Sequence, residues 1–181
     1  MSIEEIKLGG KSFSFETKPG VFAQYGLDYG SKLLLEVVDF PKTGNILDLG
    51  CGCGLLGIAA ASLSPESSVY LVDSDIRAIN LSKENAERNK IKNVQIILSD
   101  IISGLPPELE FDLVVCNPPT HQGKEVLLQF IGAAYQVLKK GGVAYFVVNR
   151  MMSVLKKLGK EFGNSEKVIK RKGYIVFKAI K

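Results

Sequence analysis

Two short segments of the 181-residue chain hold the residue types best suited to chemistry. The first reads DLGCGCG over residues 48–54, and the second reads NPPT over residues 117–120. Closely spaced glycines permit positive φ angles and let a ligand approach the backbone without meeting a Cβ atom. An asparagine before two prolines offers side-chain and backbone carbonyls on a stiff loop, since proline fixes φ and removes a donor. The first segment therefore suits a ligand held against the backbone, and the second suits the hydrogen bonding of an amine.

The glycine-rich segment indicates a nucleoside cofactor. A helix follows it, and the first N–H groups of a helix lack partners within that helix. The next apolar run ends at Asp73, whose carboxylate can accept two hydrogen bonds from a ribose diol. The spacing GxGxxG over residues 52–57, with Asp73 beyond it, also matches the dinucleotide fingerprint, so NAD is a rival. Asp48 and the tight GxGxG turn favour a methyl donor, because a carboxylate there would repel a pyrophosphate but could hold a cationic amino-acid tail.

The NPPT segment suits an amine attached to a purine base. Such an amine is a poor nucleophile because its lone pair is delocalised into the ring. The side-chain carbonyl of Asn117 and the backbone carbonyl of Pro118 can accept its hydrogens, which favours a tetrahedral nitrogen with a free lone pair. A methyl group on a sulfonium is already activated, so positioning can supply most of the rate without a strong base.

Apolar runs alternate with helical patterns along the chain. The runs cover residues 46–49, 69–72, 94–98, 113–116 and 143–148. Helical spacing of apolar residues covers 55–63 and 124–140, the latter ended by a Gly-Gly pair, and Asp75 is the expected N-cap of another helix that continues through Asn89. Buried strands that alternate with helices predict an α/β fold with a mostly parallel sheet covered on both faces.

The unusual residues follow these predicted strands. Gly50, Asp73, Asp100 and Asn117 each come at or just after the end of an apolar run. Ligands of parallel sheets bind beyond the carboxyl ends of the strands, so these residues are expected around one crevice. Two strand-like segments flanking the Lys172-Gly173 pair predict a closing hairpin, which adds an antiparallel edge.

Four motifs resemble those of class I S-adenosylmethionine-dependent methyltransferases. They read LDLGCGCGLLG over residues 47–57, YLVDSD over 70–75, LSDI over 98–101, and NPPT, which is similar to the fourth motif of amino-group methyltransferases. The resemblance implies a Rossmann-like, mostly parallel seven-stranded sheet with an antiparallel edge hairpin, and S-adenosyl-L-methionine as cofactor. It implies that Asp73 holds the ribose, Asp100 meets the adenine amine and Ile101 flanks the ring. The predicted cofactor residues are Asp48, Gly50, Cys51, Gly52, Asp73, Ser74, Asp100, Ile101 and Asn117, and the predicted catalytic residues are Asn117 and Pro118.

A narrower resemblance concerns the substrate. KPGVF at residues 18–22, LDYGS at 27–31 and NPPTHQG at 117–123 are similar to the small-subunit ribosomal RNA guanine-N2 methyltransferases, in their short single-domain archaeal form. This implies one domain over 1–181, with an N-terminal hairpin and lid segment over about 1–30, in which residues 19–31 cover donor and target. It also implies guanine N2 in ribosomal or other structured RNA as target. The expected substrate-binding residues are Phe22, Pro119, Thr120 and His121.

Thr120 departs from the family pattern, in which an aromatic residue at this position stacks on the target. Phe22, Tyr25 or Phe15 is expected to supply the missing ring. Methylation of a protein glutamine or of adenine N6 stays an alternative, although both families usually carry an aromatic residue after the prolines. Two alternatives lie outside the methyltransferases. One is a binding module that keeps the cofactor pocket without turnover, and the other is an NAD-dependent dehydrogenase.

Composition and charge predict the kind of partner and the cellular compartment. The net charge is +4, but residues 156–181 hold nine Lys or Arg against two Glu, which suits a polyanionic partner such as RNA or an ordinary solvated surface. Three cysteines, an odd number, with no signal-like N-terminus predict reduced thiols and a cytoplasmic location. No run approaches the ~20 apolar residues of a membrane span. The spacing of Cys51 and Cys53 predicts no metal site, and the sequence leaves the oligomeric state open.

Overall fold

The computed structural model describes residues 2–21, 27–119, 122–149 and 153–181. The strands and helices of these residues are, in chain order, β1 (Ser2–Leu8), β2 (Lys11–Thr17), α1 (Tyr29–Leu35), β3 (Thr43–Leu49), α2 (Leu55–Leu63), β4 (Glu66–Asp73), α3 (Ile76–Arg88), β5 (Val94–Leu98), β6 (Phe111–Cys116), α4 (Lys124–Val137), β7 (Leu138–Asn149), α5 (Ser153–Phe162), β8 (Glu166–Arg171) and β9 (Tyr174–Ile180).

Seven strands form one sheet in the order β5-β4-β3-β6-β7-β9-β8. The strands from β5 to β7 are parallel, and β9 runs antiparallel to both of its neighbours. The central strand β3 is buried on both faces, with Ile46, Leu47 and Leu49 fully inaccessible to solvent. The predicted Rossmann-like α/β fold, mostly parallel with an antiparallel edge hairpin, is confirmed.

Several predicted elements have the bounds that the sequence indicates. The helix over Leu55–Leu63 and the strand over Val94–Leu98 are confirmed at both ends. Asp75 is the N-cap of α3, because its carboxylate accepts a hydrogen bond from the amide of Arg77 at 2.8 Å. Local patterns therefore fix the helices and strands around the glycine-rich turn.

Helix α4 ends earlier than the Gly141-Gly142 pair predicts. The helix stops at Val137, and Leu138 is already extended, with φ −71° and ψ 142°. Leu138 pairs with Phe111 of β6 and is fully buried, so its burial in the sheet outweighs one more helical turn. The two glycines instead lie within β7, where the register to β6 shifts and Gly142 accepts a hydrogen bond from Lys181.

Helix α1 covers part of the segment that the family resemblance implies is a lid. The carboxylate of Asp28 caps it by accepting a hydrogen bond from the amide of Ser31 at 2.8 Å. Gly30 and Ser31 are buried, and Leu34 is wholly enclosed. Residues 29–31 are therefore anchored in the helix. The lid over residues 19–31 stays a prediction, and residues 22–26 lie outside the described residues.

The N-terminal hairpin of β1 and β2 is a separate two-stranded sheet that docks on α3. Asn85 of α3 bonds to both the amide and the carbonyl of Glu16 at the edge of β2. Asn89, the C-cap of α3, bonds to the amide and carbonyl of Ser14 in the same way. Phe15 points into the core and is fully buried. The expectation that Phe15 could stack on a target is therefore wrong, because packing under the hairpin occupies its ring.

The described helices are all too short or too polar to cross a membrane.

Candidate functional site

A cavity of about 800 Å³ lies at the carboxyl ends of the parallel strands. This volume falls in the range of ~300–1,000 Å³ that small-molecule sites usually have. Residues from four strand ends share it, as the sequence predicts. Predicted site residues on its wall are Gly50, Gly52, Asp73, Ser74, Asp100, Ile101, Asn117 and Pro119.

The glycine-rich turn is held against β4. The amides of Gly50 and Cys51 both donate to the carbonyl of Val72, each at 2.9 Å. Gly50 has φ +80°, and a Cβ atom there would lie 3.1 Å from the ring of Phe130. Gly50 therefore needs to be glycine both for its conformation and for the space between the turn and α4.

Helix α3 also fixes this turn, through residues that sequence reasoning missed. Ser82 donates from Oγ to the carbonyl of Gly52 at 3.0 Å, and Asn85 donates from Nδ2 to the carbonyl of Cys53 at 2.9 Å. Both side chains are fully buried. In the sequence, these two polar residues stand at helical spacing on the apolar face of α3. Because a buried polar group needs a hydrogen-bond partner, this pattern could have indicated that they bond to a neighbouring segment.

Asp73 lies at the end of β4 with both carboxylate oxygens held by backbone amides. Oδ2 accepts from Gly52 and Oδ1 from Asp75, both at 2.9 Å. Each oxygen keeps a further lone pair, since a carboxylate offers about four acceptor sites. The side chain is thus fixed on the cavity wall with capacity for the two hydroxyls of a ribose.

The turn after β5 places Asp100 and Ile101 on the cavity wall. Ile101 has φ +53°, a conformation that a β-branched residue rarely adopts. Ser99 supports the turn: its amide donates to the carbonyl of Asp73 at 2.9 Å, and its Oγ donates to the carbonyl of Ile101 at 3.1 Å. Strained backbone of this kind concentrates at binding sites, where the surroundings hold it in place.

Asp48 lies beneath the turn rather than on the cavity wall. It is 1% exposed, and its Oδ2 accepts from the amide of Gly57 at 2.8 Å inside α2. Burial, together with the nearby charge of Asp73, raises the pKa of Asp48 to about 7. Its Oδ1 is buried and has no hydrogen-bond partner among the described residues. Direct contact of Asp48 with a cofactor stays a prediction, and the contact that its carboxylate makes in the structure is with α2.

The cysteines near the turn are buried beside the cavity, and contact of Cys51 with the cofactor stays a prediction. Cys51 and Cys53 line a small recess that adjoins the cavity and shares Asp28, Gly50 and Asn117 with it. Burial raises the pKa of the Cys53 thiol to about 11 and also raises that of Cys51, so both stay protonated. Within the described ranges, no three His, Cys, Asp or Glu side chains come together as a metal site.

Asn117, at the end of β6, has its side-chain amide fixed. Nδ2 donates to Oδ2 of Asp28 at 2.7 Å and to Oγ of Ser31 at 2.8 Å. Both hydrogens of the amide are therefore used, and Oδ1 is left as an acceptor in a residue that lines the cavity.

The other predicted substrate residues are placed in part. Pro119 lines the cavity, and Pro118 is buried. Phe22, Tyr25, Thr120 and His121 lie outside the described residues, so their predicted roles stay predictions.

Helix α4 contributes to the cavity in a way the sequence reasoning missed. Phe130 has the helical spacing of the apolar residues of α4, yet it lines the cavity together with Val126 and Gln129. Leu127 and Ile131 make the buried stripe.

The basic C-terminal region brings a charged turn to the same edge of the sheet. Tyr174 pairs with Asn149 at the carboxyl end of β7, so the β8–β9 turn lies beside the cavity-bearing strand ends. Arg171 forms an ion pair with Glu36 at 2.7 Å, and the ammonium of Lys172 lies 4.9 Å from the ring centre of Tyr29. Lys170 is exposed.

Residues 12–178 match the family described as the methyltransferase small domain. The chain belongs to this family. It is a class I S-adenosylmethionine-dependent methyltransferase, and S-adenosyl-L-methionine is its cofactor. The cofactor predicted from the sequence is thereby confirmed over NAD.

Similar proteins include several that are named for activity on ribosomal RNA. The chain is 36% identical over 180 residues to the uncharacterized protein YbxB of Bacillus subtilis, covering 97% of this chain and 90% of YbxB. It is 33% identical over 182 residues to the ribosomal RNA large subunit methyltransferase G of Klebsiella pneumoniae, covering 97% of this chain and 48% of that protein. This methyltransferase small domain therefore spans about half the length of that relative.

Solved structures give the same fold. The T. thermophilus 16S rRNA guanine-N2 methyltransferase RsmC, solved with AdoMet and guanosine, superposes with a TM-score of 0.89 at 29% identity, over 99% of this chain and 50% of that one. A Pyrococcus furiosus methyltransferase superposes with a TM-score of 0.75 at 18% identity, over 93% of this chain and 89% of that one, which shows the fold alone.

Proposed function

We propose that the protein transfers the methyl group of S-adenosyl-L-methionine to the exocyclic N2 amine of guanine in ribosomal or other structured RNA. The observation that carries this proposal is the fixed amide of Asn117, whose Nδ2 is held by Asp28 and Ser31 while Oδ1 stays available. An acceptor at that place suits an amine that must lose its planarity before it reacts.

In this proposal the chain works mainly by positioning. Gly50, Gly52, Asp73, Asp100 and Ile101 hold the cofactor, whose sulfonium supplies an activated methyl group. Oδ1 of Asn117 and the carbonyl of Pro118 accept the two hydrogens of the target amine and direct its lone pair towards the donor. Proton loss to solvent follows transfer, so no strong base is required.

The remaining predicted site residues are proposed to bind the target base. Pro119 stiffens the wall beside the target, and Thr120, His121 and Phe22 are proposed to contact it. The fit of the donor rests on this chain's own geometry. Each carboxylate oxygen of Asp73 accepts one backbone bond and can accept another, and a Cβ atom at Gly50 would lie 3.1 Å from the ring of Phe130 on the cavity wall.

RNA as the substrate is supported by charge and by likeness. The basic turn at residues 170–172 lies at the same edge of the sheet as the cavity. Phosphate contacts by such residues supply most of the sequence-independent affinity for nucleic acid. The K. pneumoniae and T. thermophilus relatives are described as acting on ribosomal RNA, and the second on guanine N2.

The experiment compares nucleosides from a strain lacking the gene with those from its parent. RNA from the deletion strain is incubated with purified protein and tritiated donor, digested, and analysed by mass spectrometry, with Asn117→Ala as the matched control. The proposal expects N2-methylguanosine to be missing in the deletion strain and restored by the wild-type protein.

Each other outcome contradicts the proposal in a defined way. N6-methyladenosine would make adenine the target, and label in a protein fraction would indicate glutamine. Donor binding without transfer to RNA or protein would indicate a binding module without turnover.

A further inference from the structure

We infer that Asp28, Ser31 and Tyr174 are positioning residues that set the orientation of the Asn117 amide, and through it the efficiency of transfer. This inference rests on the proposed function, in which Oδ1 of Asn117 must face the target amine. It depends on three hydrogen bonds that join residues 86 to 146 positions apart in the sequence, namely Asn117–Asp28, Asn117–Ser31 and Tyr174–Asp28.

An asparagine amide is nearly symmetric in shape, so its surroundings decide which end faces the cavity. Oδ2 of Asp28 already accepts from the amide of Ser31 at 2.8 Å, and a carboxylate can only accept. A flipped Asn117 would place Oδ1 about as far from that oxygen as Nδ2 now lies, which is 2.7 Å. Two acceptors at that distance repel, so Asp28 favours the orientation in which Nδ2 faces the carboxylate and Oδ1 is left as an acceptor.

Ser31 holds the same amide from a second side, although its hydroxyl can accept or donate and so does not select the orientation. Its Oγ lies 2.8 Å from Nδ2 of Asn117 and is buried, at 7% exposure for the residue. With two acceptors on one nitrogen, both amide hydrogens have fixed directions. The two bonds together fix the plane of the amide, and the carboxylate of Asp28 decides which end of it is left as an acceptor.

Tyr174 holds Asp28 in turn. Its hydroxyl donates to Oδ1 of Asp28 at 3.3 Å, and burial, followed by the charge of Asp28, raises the pKa of Tyr174, so the hydroxyl stays a donor at neutral pH. A Cβ atom on Gly30 would lie 2.7 Å from the Tyr174 ring, so the glycine lets α1 and β9 approach. The ring also lies 5.7 Å from that of Tyr29.

A different explanation gives Asp28 a direct role, because it also lines the cavity. As a proton acceptor or a ligand of the cofactor it would need its charge. As a positioning residue it needs only acceptor geometry, which Asp28→Asn can keep. In that variant the side-chain oxygen at position 28 would accept from Ser31 and Asn117, and the new side-chain nitrogen would donate to the Tyr174 hydroxyl.

The test measures kcat and the KM for the donor in tritium transfer to RNA from the deletion strain. Asp28→Ala is expected to lower kcat by at least ~10-fold and to change the donor KM by less than ~3-fold, the pattern seen when an interaction made only in the transition state is removed. Ser31→Ala, which leaves the cap of α1 intact, is expected to lower kcat by ~3-fold or more, since it removes one of two such bonds. Asp28→Asn is expected to recover most of the activity. Asp39→Ala, an exposed aspartate after α1, is the matched control.

A double variant tests whether Asp28 acts through Asn117 or independently of it. Residues that act as one unit are not additive, so Asp28→Ala added to Asn117→Ala is expected to cost nothing further. An additional decrease in the double variant, or Asp28→Asn as inactive as Asp28→Ala, would overturn the inference. If the wild-type protein transfers nothing to RNA, or Asn117→Ala keeps full activity, the proposed function itself fails, and this result is distinct from a failure of the positioning role alone.

Discussion

Oδ2 of Asp73 lies 2.9 Å from the amide nitrogen of Gly52, so the carboxylate at the end of β4 and the glycine-rich turn after β3 form one rigid wall. The amide of Asp75 holds the other oxygen at the same distance. Strands β3 and β4 are paired directly, Asp48 with Leu71 and Leu49 with Val72. This pairing fixes the position of the carboxylate relative to the turn. A ribose bound here meets acceptors that need no rearrangement.

Replacing Asp73 is expected to weaken donor binding more than it weakens folding. Asp73→Ala removes two acceptors from a ribose, and hydrogen bonds to charged groups contribute ~1.5–3 kcal/mol each, so the Kd for S-adenosyl-L-methionine should rise at least ~10-fold. Isothermal titration calorimetry measures this change, with Asp39→Ala as control. An unchanged Kd would show that the ribose lies elsewhere.

Replacing Asn117 is expected to lower the rate of methyl transfer and to leave donor binding nearly unchanged. Asn117→Ala removes an oriented contact of the reacting amine, so transfer should fall by more than ~100-fold. The Kd for the donor should stay within ~3-fold of wild type, as for a residue whose contact is made mainly in the transition state. Single-turnover transfer and calorimetry on the same preparation check both parts. Equal turnover in the variant would remove the mechanism.

The basic turn gives a prediction about salt. Lys170→Gln with Lys172→Gln should reduce the slope of log K against log salt by about 0.7 for each phosphate of single-stranded RNA that is no longer neutralised. Adding Arg171→Gln should change the slope less, because its guanidinium is paired with Glu36 at 2.7 Å. The control is Lys42→Gln with Lys92→Gln, exposed lysines just before β3 and β5, at the opposite edge of the sheet. If both double variants have the same slope of log K against log salt, the turn has no special role in RNA binding.

The buried Asp48 predicts a pH dependence of stability. Because burial raises the pKa of Asp48 to about 7, the folded state holds this proton more tightly than the unfolded chain, whose pKa stays near 3.8. The resulting stabilisation is complete below pH 3.8 and is lost as pH rises through 7. Between pH 5 and pH 8, wild type should therefore lose about 2–3 kcal/mol of unfolding free energy relative to Asp48→Asn. Urea denaturation at both pH values measures it, with Asp39→Asn as control, and parallel pH profiles would contradict it.

Local patterns in the sequence predict much of the fold and the position of several residues on the cavity wall. The limits of α2 and β5, the cap of α3 and the β8–β9 hairpin follow from apolar spacing, capping chemistry and a turn pair, all of which are local. The cavity residues at the strand ends follow from the general geometry of parallel sheets.

The remaining features depend on contacts that are distant in the sequence. The early end of α4 arises because Leu138 pairs with Phe111, and no helical pattern contains that pairing. Phe130 has the spacing of a core residue but faces the turn at Gly50. The bond between Asn117 and Asp28 joins residues 89 positions apart, so only the folded chain reveals it.

A crystal structure with S-adenosylhomocysteine and guanosine tests the central geometry most directly. It is predicted to place the nucleoside of the cofactor product between Gly50 and Asp73. It should also place guanine N2 within about 3.2 Å of both Oδ1 of Asn117 and the carbonyl of Pro118. A cavity left empty by the cofactor product, or guanosine bound with N2 directed away from Asn117, would contradict the account.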